Sequence, residues 1–231
     1  MGPRAVPRGA RRLTPIWHPS PNCGPRRGGA RPALILIHYT AMASATAARD
    51  WLCTAQAQVS AHYVIARSGT VWQLVDEADR AWHAGAGRWG GCDDVNSASI
   101  GIELANTGFE PFAEPQMQAL EALLPGIMVR WSIPPKGVIA HSDTALGRKI
   151  DPGPRFDWPR LAAQGLAVWP APADPGEFHA DARRFGYGIE AGNDDALLAA
   201  FRLRFRPQAT GPLDDTDRAL MADLAHRFPA D

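Results

Sequence analysis

Apolar and polar positions along the first two-thirds of the chain predict a set of short, buried strands. One run is continuously apolar and contains β-branched residues, which is typical of a strand buried on both faces. Two later stretches lie on either side of a turn that contains Gly69, and they predict a hairpin. The predicted strands cover residues 33–37, 62–65, 71–75, 99–104 and 138–140.

Helical patterns separate these strands. Residues 45–52 are rich in alanine, and residues 114–131 carry apolar side chains at helical spacing. The Gly-rich and polar segment 82–96 predicts a surface loop, and a polar loop follows from His141. This alternation predicts an α/β domain over residues 32–170, with a mixed β-sheet flanked by helices.

The last quarter of the chain has a different pattern. Residues 169–178 contain three prolines and one glycine, which is typical of a linker. Residues 194–206 and 214–228 then predict two helices, and a shorter one near 178–186 completes a three-helix unit. A unit this small, residues 171–231, buries little by itself and is expected to pack against the first domain.

Charge divides the chain unevenly although the formal net charge is zero. Residues 1–31 contain seven arginines and no acidic residue, whereas all 24 acidic residues follow. This predicts a basic, irregular N-terminal arm on an acidic body. A net charge of zero removes the whole-chain electrostatic argument for a nucleic-acid partner.

Compartment signals are few. Cys23, Cys53 and Cys92 are too widely spaced for a disulfide framework or a CxxC metal motif. No apolar run approaches the ~18 residues of a membrane span, and no apolar signal-peptide core follows the basic N-terminus. We therefore expect a cytoplasmic protein without an integral membrane segment. A periplasmic location stays open if the start codon is misassigned.

Three residues form a candidate metal site. His38 and His141 each lie at the end of a predicted strand, and Asp151 follows ten residues after His141. Two imidazoles and one carboxylate suit zinc, and a catalytic zinc takes three protein ligands and leaves one position open.

Two further residues are candidates for chemistry. Glu103 interrupts an apolar strand, so its carboxylate faces either solvent or a cleft, where it could accept a proton from water. Lys149 is one of only two lysines among 24 basic residues. Its position next to Arg148 is either an ordinary surface position or a place where a compact ammonium stabilises a developing oxyanion.

Five blocks follow one another along the chain: Ile-Leu-Ile-His-Tyr-Thr at 35–40, Ser-Ala-His-Tyr-Val-Ile at 60–65, Ala-Trp-His-Ala-Gly at 81–85, Ser-Ile-Gly-Ile-Glu-Leu-Ala-Asn at 99–106 and the segment 141–154. In this order they resemble the zinc-dependent N-acetylmuramoyl-L-alanine amidases of the type-2 amidase family, which are related in fold to peptidoglycan recognition proteins. The resemblance covers residues 20–170, and the C-terminal part is similar to a helical peptidoglycan-binding module.

The resemblance implies a role for each matching position. His38, His141 and Asp151 correspond to the zinc ligands, and Glu103 and Lys149 to the catalytic pair. The positions implied to border the substrate groove are Tyr39, Trp82, His83 and Asn106, and His62 is implied to be structural.

The implied activity is zinc-dependent hydrolysis of the amide bond between N-acetylmuramic acid, or its anhydro form, and L-alanine. Peptidoglycan fragments would be the partners, in muropeptide recycling or turnover. A binding protein of the same fold without activity is the alternative, and a zinc hydrolase of another amide also stays open. Since the ligands, Glu103 and Lys149 are all present, we favour the enzyme. The oligomeric state is not predicted.

Overall fold

The computed structural model describes residues 13–190 and 192–230, in which strands and helices alternate along the first domain. The strands are β1 (Ile16–Trp17), β2 (Cys23–Pro25), β3 (Leu34–Tyr39), β4 (Tyr63–Ile65), β5 (Val71–Gln73), β6 (Asp79–Ala81), β7 (Ser99–Leu104) and β8 (Val138–Ala140). The helices are α1 (Ala45–Leu52), α2 (Val95–Ala98), α3 (Glu114–Trp131), α4 (His141–Thr144), α5 (Trp158–Ala163), α6 (Phe178–Phe185), α7 (Asp194–Phe205) and α8 (Asp215–Arg227).

Six strands form one mixed sheet in the order β1-β5-β4-β7-β3-β8, and β2 pairs with β6 separately. The central strand β3 runs parallel to both β7 and β8. Only β4 and β5 are antiparallel within the six-stranded sheet, which confirms the predicted hairpin. The observed architecture is therefore the α/β fold with a mixed, helix-flanked sheet that the sequence predicts.

The two faces of β3 contribute to two different hydrophobic cores. Ile35 and Ile37 pack in a core with residues of α3, whereas Leu34 and Leu36 belong to a second core. This alternation confirms that the apolar strand is buried on both sides, because side chains of a strand point to opposite faces in turn.

The C-terminal helices cover the second face of the sheet. Phenylalanines of α6 and α7 and Leu224 of α8 share one core with Leu36 of β3 and Ile139 of β8. The predicted packing of this unit against the first domain is confirmed. Within the described residues, none of the helices combines the length and apolar character needed to cross a membrane.

The N-terminal segment contains two short strands that the sequence does not predict. β1 pairs with β5, and β2 pairs with β6, so residues 16–17 and 23–25 are not irregular. The Arg26 guanidinium is buried and donates to the carbonyl oxygens of Ser97 and Glu77 at 2.7 and 2.8 Å. The prediction of an irregular arm is wrong here because each strand pairs with a distant one. The arginines at 4, 8, 11 and 12 lie outside the described residues.

Two local expectations need correction, and one helix was missed. The segment 82–96 is not simply a surface loop, because Trp89 is buried against Phe185 and Tyr187 of the C-terminal unit. The predicted loop from His141 begins with the short helix α4. The helix α5 was not predicted from the pattern, and its Trp158 is fully buried.

Candidate active site

The sheet topology brings the three candidate metal ligands together. His38 lies near the carboxyl end of β3, and Ile37 is paired with Ala140, the residue that precedes His141. The loop that carries Asp151 returns to α4, where the Ser142 amide donates to the Asp151 carbonyl oxygen at 3.0 Å. Strand pairing and this loop contact together place three distant residues side by side.

The three donor atoms converge on one point. His38 Nδ1 lies 3.0 Å from His141 Nδ1 and 2.8 Å from Asp151 Oδ2. His141 Nδ1 lies 3.0 Å from the same carboxylate oxygen. All three residues are buried, and their side chains form a group that could hold a metal ion.

The hydrogen bonding of the site fits a bound cation. His141 Nε2 lies 2.9 Å from the carbonyl oxygen of Ala84, which only accepts, so Nε2 carries the proton of the neutral ring. His141 Nδ1 therefore carries no proton, and its lone pair faces Asp151 Oδ2 and His38 Nδ1. Two imidazoles and one carboxylate with a free fourth position match the donor set of a catalytic zinc site.

Burial and mutual contacts keep His38 and Asp151 in the protonation states that a metal needs. Burial, followed by the neighbouring His141, lowers the pKa of His38 to about 4. Burial alone would raise the pKa of Asp151, but hydrogen bonds with His141 and His38 outweigh it and hold the pKa well below its usual range. Neutral imidazoles and an ionised carboxylate are the forms that bind metal ions.

Glu103 faces the same cavity rather than open solvent. It is paired in register with His38 across β7 and β3, so the two side chains project from the same side of the sheet. Burial and then the Asp151 charge raise the pKa of Glu103 to about 8, while Lys149 opposes them. Its Oε2 atom is buried without a hydrogen-bond partner among the described residues, so the carboxyl can still accept a proton or a hydrogen bond.

Lys149 reaches the cavity from a tight turn between α4 and Asp151. The Lys149 amide donates to the Ala145 carbonyl oxygen at 3.1 Å, and Gly147 within this turn has a φ of +69°. The neighbouring Arg148 donates to the Ala84 carbonyl oxygen at 3.0 Å. Both adjacent cations line the cavity, and Arg148 is in addition tied to the backbone at Ala84.

The cavity has a volume of about 340 Å³ and contains most of the predicted site residues. Beside the ligands, Glu103 and Lys149, its walls include Tyr39, Trp82 and His83. Asn106 does not line this cavity. It is buried, its amide nitrogen donates to the Glu110 carbonyl oxygen at 3.1 Å, and it borders a neighbouring cavity of about 240 Å³.

Several residues around the site were not predicted from the sequence. The Ala84 carbonyl oxygen contacts His141, and Asn96 Oδ1 accepts the amides of both His83 and Ala84 at 2.9 and 2.8 Å. The Ala-Trp-His-Ala-Gly block was the only available signal, since a backbone carbonyl leaves no mark in a sequence. His62 is structural as expected, because its Nδ1 accepts the Gly101 amide at 2.9 Å.

Comparison with known proteins agrees with this geometry. Residues 28–154 match the family described as N-acetylmuramoyl-L-alanine amidase (Amidase_2). The chain is similar to the N-acetylmuramoyl-L-alanine amidase AmiD of Escherichia coli, with 34% identity over 86% of this chain and 84% of that protein. It is also similar to the 1,6-anhydro-N-acetylmuramyl-L-alanine amidase AmpD of E. coli, with 32% identity over 66% of this chain and 90% of that protein.

Solved structures extend the similarity to the whole fold. AmiD from E. coli, in complex with anhydro-N-acetylmuramic acid-L-Ala-D-gamma-Glu-L-Lys, superimposes with a TM-score of 0.80 at 33% identity, covering 89% of this chain and 93% of that one. AmpDh3 from Pseudomonas aeruginosa, in complex with anhydromuramic pentapeptide, has a TM-score of 0.78 at 30% identity, covering 97% and 99%.

The buried group of His38, His141 and Asp151 is typical of zinc amidases. Because the family match extends over more than half of the chain, the chain belongs to the N-acetylmuramoyl-L-alanine amidase family. It is an N-acetylmuramoyl-L-alanine amidase, which hydrolyses the amide bond between N-acetylmuramic acid and L-alanine.

Proposed function

We propose that the metal of this amidase is zinc and that its substrates are muropeptide fragments bearing either N-acetylmuramic acid or its anhydro form. The observation that carries the proposal is the group of His38, His141 and Asp151, converging within a cavity that also contains Glu103. The E. coli and P. aeruginosa relatives bind anhydromuropeptides, which supports the anhydro form as one substrate.

In this proposal the residues of the cavity share the steps of amide hydrolysis. His38, His141 and Asp151 would hold the zinc ion, which would supply the Lewis acidity needed to activate water and polarise the carbonyl. Glu103 accepts a proton from the attacking water, whose oxygen forms the new bond to the carbonyl carbon of the lactyl group. When the carbon–nitrogen bond breaks, Glu103 returns the proton to the amine of L-alanine.

Lys149 has a different task in the same step. Its ammonium lines the cavity next to Asp151 and stabilises the negative charge that develops on the carbonyl oxygen. Tyr39 and Trp82, on the cavity wall, are proposed to contact the sugar or the peptide. Asn106 is proposed to act at the adjacent cavity, since it does not reach this one.

Zinc-loaded protein incubated with a muramoyl tripeptide, and separately with its anhydro counterpart, tests the proposal by mass spectrometry of the products. We expect free peptide beginning with L-alanine from both substrates. A His141→Ala variant and a chelator-treated sample should leave the substrate intact. Reconstitution of separate samples with zinc, cobalt or manganese identifies the metal. Absence of activity in the zinc-reconstituted sample would contradict the zinc assignment.

The cellular role is part of the same proposal. We propose that the enzyme acts on muropeptides during recycling or turnover and that it does so in the cytoplasm. Cell fractionation followed by immunodetection tests the compartment, and recovery of the protein only in the periplasmic fraction would overturn it.

A further inference from the structure

The Nε2 atoms of His38 and His141, which point away from the metal position, both contact the dipeptide His83-Ala84. His38 Nε2 lies 3.0 Å from His83 Nδ1, and His141 Nε2 lies 2.9 Å from the carbonyl oxygen of the next residue, Ala84. Asn96 holds this dipeptide by accepting both of its backbone amides. The segment therefore contacts both imidazoles on the side away from the metal position.

A chain of hydrogen bonds sets the direction of the His38–His83 contact. The Ser99 hydroxyl lies 2.5 Å from the carbonyl oxygen of Val95, which only accepts, so the hydroxyl proton points there. Ser99 Oγ then accepts from His83 Nε2 at 3.3 Å, and this nitrogen carries the proton of the neutral His83 ring. His83 Nδ1 is therefore bare and accepts the Nε2 proton of His38.

This direction has a consequence for His38. A neutral imidazole carries one ring proton, so a proton on Nε2 leaves Nδ1 bare, and Nδ1 is the atom that faces His141 and Asp151. A ligating histidine in proteins typically donates its other ring N–H to an oxygen acceptor, which fixes its tautomer and orientation. Here the acceptor is another histidine.

We propose that His83 is a positioning residue for His38, presenting His38 Nδ1 to the metal by accepting its Nε2 proton. The inference rests on the proposed metal function of the site. In this role His83 acts through His38 and does not touch the reacting atoms.

A substitution at Gly101 in β7 provides a second, independent test of the proposal. A Cβ atom at this position would lie 2.5 Å from His83 Cγ and 2.6 Å from His83 Nδ1. The backbone of Gly101 does not adopt a positive φ, so what the position requires is space for the imidazole. We expect Gly101→Ala to displace the His83 ring while leaving its chemistry in place.

Zinc affinity, measured by competition with a chromogenic chelator, tests the proposal on three substitutions of one residue. His83→Ala removes the acceptor and should raise the zinc Kd by about 10–100-fold. His83→Asn places a carbonyl oxygen near the lost Nδ1 atom and should restore binding to within a few-fold. His83→Gln places its amide near Nε2, retains the Ser99 contact and should bind as weakly as His83→Ala.

Controls separate this inference from the function on which it rests. His179→Ala removes a half-exposed histidine that pairs with Asp194 and should bind zinc like the wild type. Circular dichroism and thermal melts check the fold. If His83→Ala does not fold, two other measurements decide the question. The first is the comparison of the Asn and Gln variants. The second is the zinc Kd of Gly101→Ala, which we expect to rise by about 10–100-fold. The visible spectrum of the cobalt-substituted protein should change with His83→Ala and Gly101→Ala but not with His179→Ala.

Two results would overturn the proposal by itself: tight zinc binding by folded His83→Ala, or equal affinities of the Asn and Gln variants. Wild-type protein that binds no zinc would overturn the proposed function as well, so the two failures are distinguishable.

Discussion

Arg204 of α7 and Asp143 of α4 form an ion pair in which both side chains are fully buried, with 2.6 Å between Nη1 and Oδ2. Asp143 lies two residues after His141. The Tyr187 hydroxyl donates to the other carboxylate oxygen at 2.9 Å, and Arg204 also donates to the Val138 carbonyl oxygen at 3.1 Å. The C-terminal unit thus supplies two polar groups to the segment that carries a metal ligand.

Removing one partner of this pair should be costly. Arg204→Met leaves the Asp143 carboxylate buried without its cation, and we expect the free energy of unfolding to fall by about 3–5 kcal/mol. Urea denaturation with a chelator present measures the loss without a contribution from metal. Arg88→Met breaks the exposed pair with Asp93 and should cost about 1 kcal/mol or less. Equal losses for the two variants would contradict this role of the buried pair.

A metal ligand should be more sensitive than any supporting residue. We expect His141→Ala to raise the zinc Kd by more than about 100-fold, because even the loss of a residue that only orients a ligand costs about 10–100-fold. Equilibrium dialysis with metal analysis measures it. The exposed His226 offers a second matched control, and an equal effect of His226→Ala would show that the loss is not specific to the site.

Glu103 should matter for the rate and not for metal binding. We expect Glu103→Gln to lower kcat by about 10²–10⁴-fold while zinc stays bound, since the amide cannot accept the proton of water. Burial and then the Asp151 charge raise the pKa of Glu103 to about 8, Lys149 opposes them, and the base works in its ionised form. The rate should therefore rise as the pH rises through this pKa, and that dependence should vanish in the variant. Glu114→Gln, at an exposed position, should retain both rate and profile.

The contribution of Glu77 to the free energy of unfolding should depend on pH. Burial alone would raise its pKa, but hydrogen bonds from Arg130, Tyr63 and Trp131 outweigh burial and lower it. Because the unfolded carboxyl binds its proton at a higher pH than the folded one, the stabilisation is complete above the unfolded pKa of ~4.3 and is lost as the pH falls through the folded value.

Urea denaturation of Glu77→Gln and of the wild type at several pH values measures this contribution to the free energy of unfolding. At pH 7 we expect a loss of about 1–3 kcal/mol, because the buried Tyr63 hydroxyl, the partly buried Trp131 indole and the Arg130 guanidinium lose a charged acceptor. The difference from the wild type should shrink progressively at acidic pH. A difference that stays constant from pH 7 down to pH 3 would show that ionisation of Glu77 is not its source.

Periodicity and motif order were enough to predict the longer strands and helices of the first domain and the residues that converge on the metal position. Ser99–Leu104, Val138–Ala140 and Glu114–Trp131 have the predicted bounds, because periodicity reports which side chains are buried. His38 and His141 could be paired from their positions at strand ends, since parallel neighbouring strands end at one edge of a sheet.

The residues that support that site could be identified only from the packing of elements that are distant in sequence. His83 meets His38 across 45 positions of sequence, and Arg204 meets Asp143 across 61. Neither contact has a local signature, because each depends on how strands and helices pack rather than on spacing along the chain. The same holds for the N-terminal strands: two or three residues carry too little periodicity to predict, and their hydrogen bonds come entirely from distant partners.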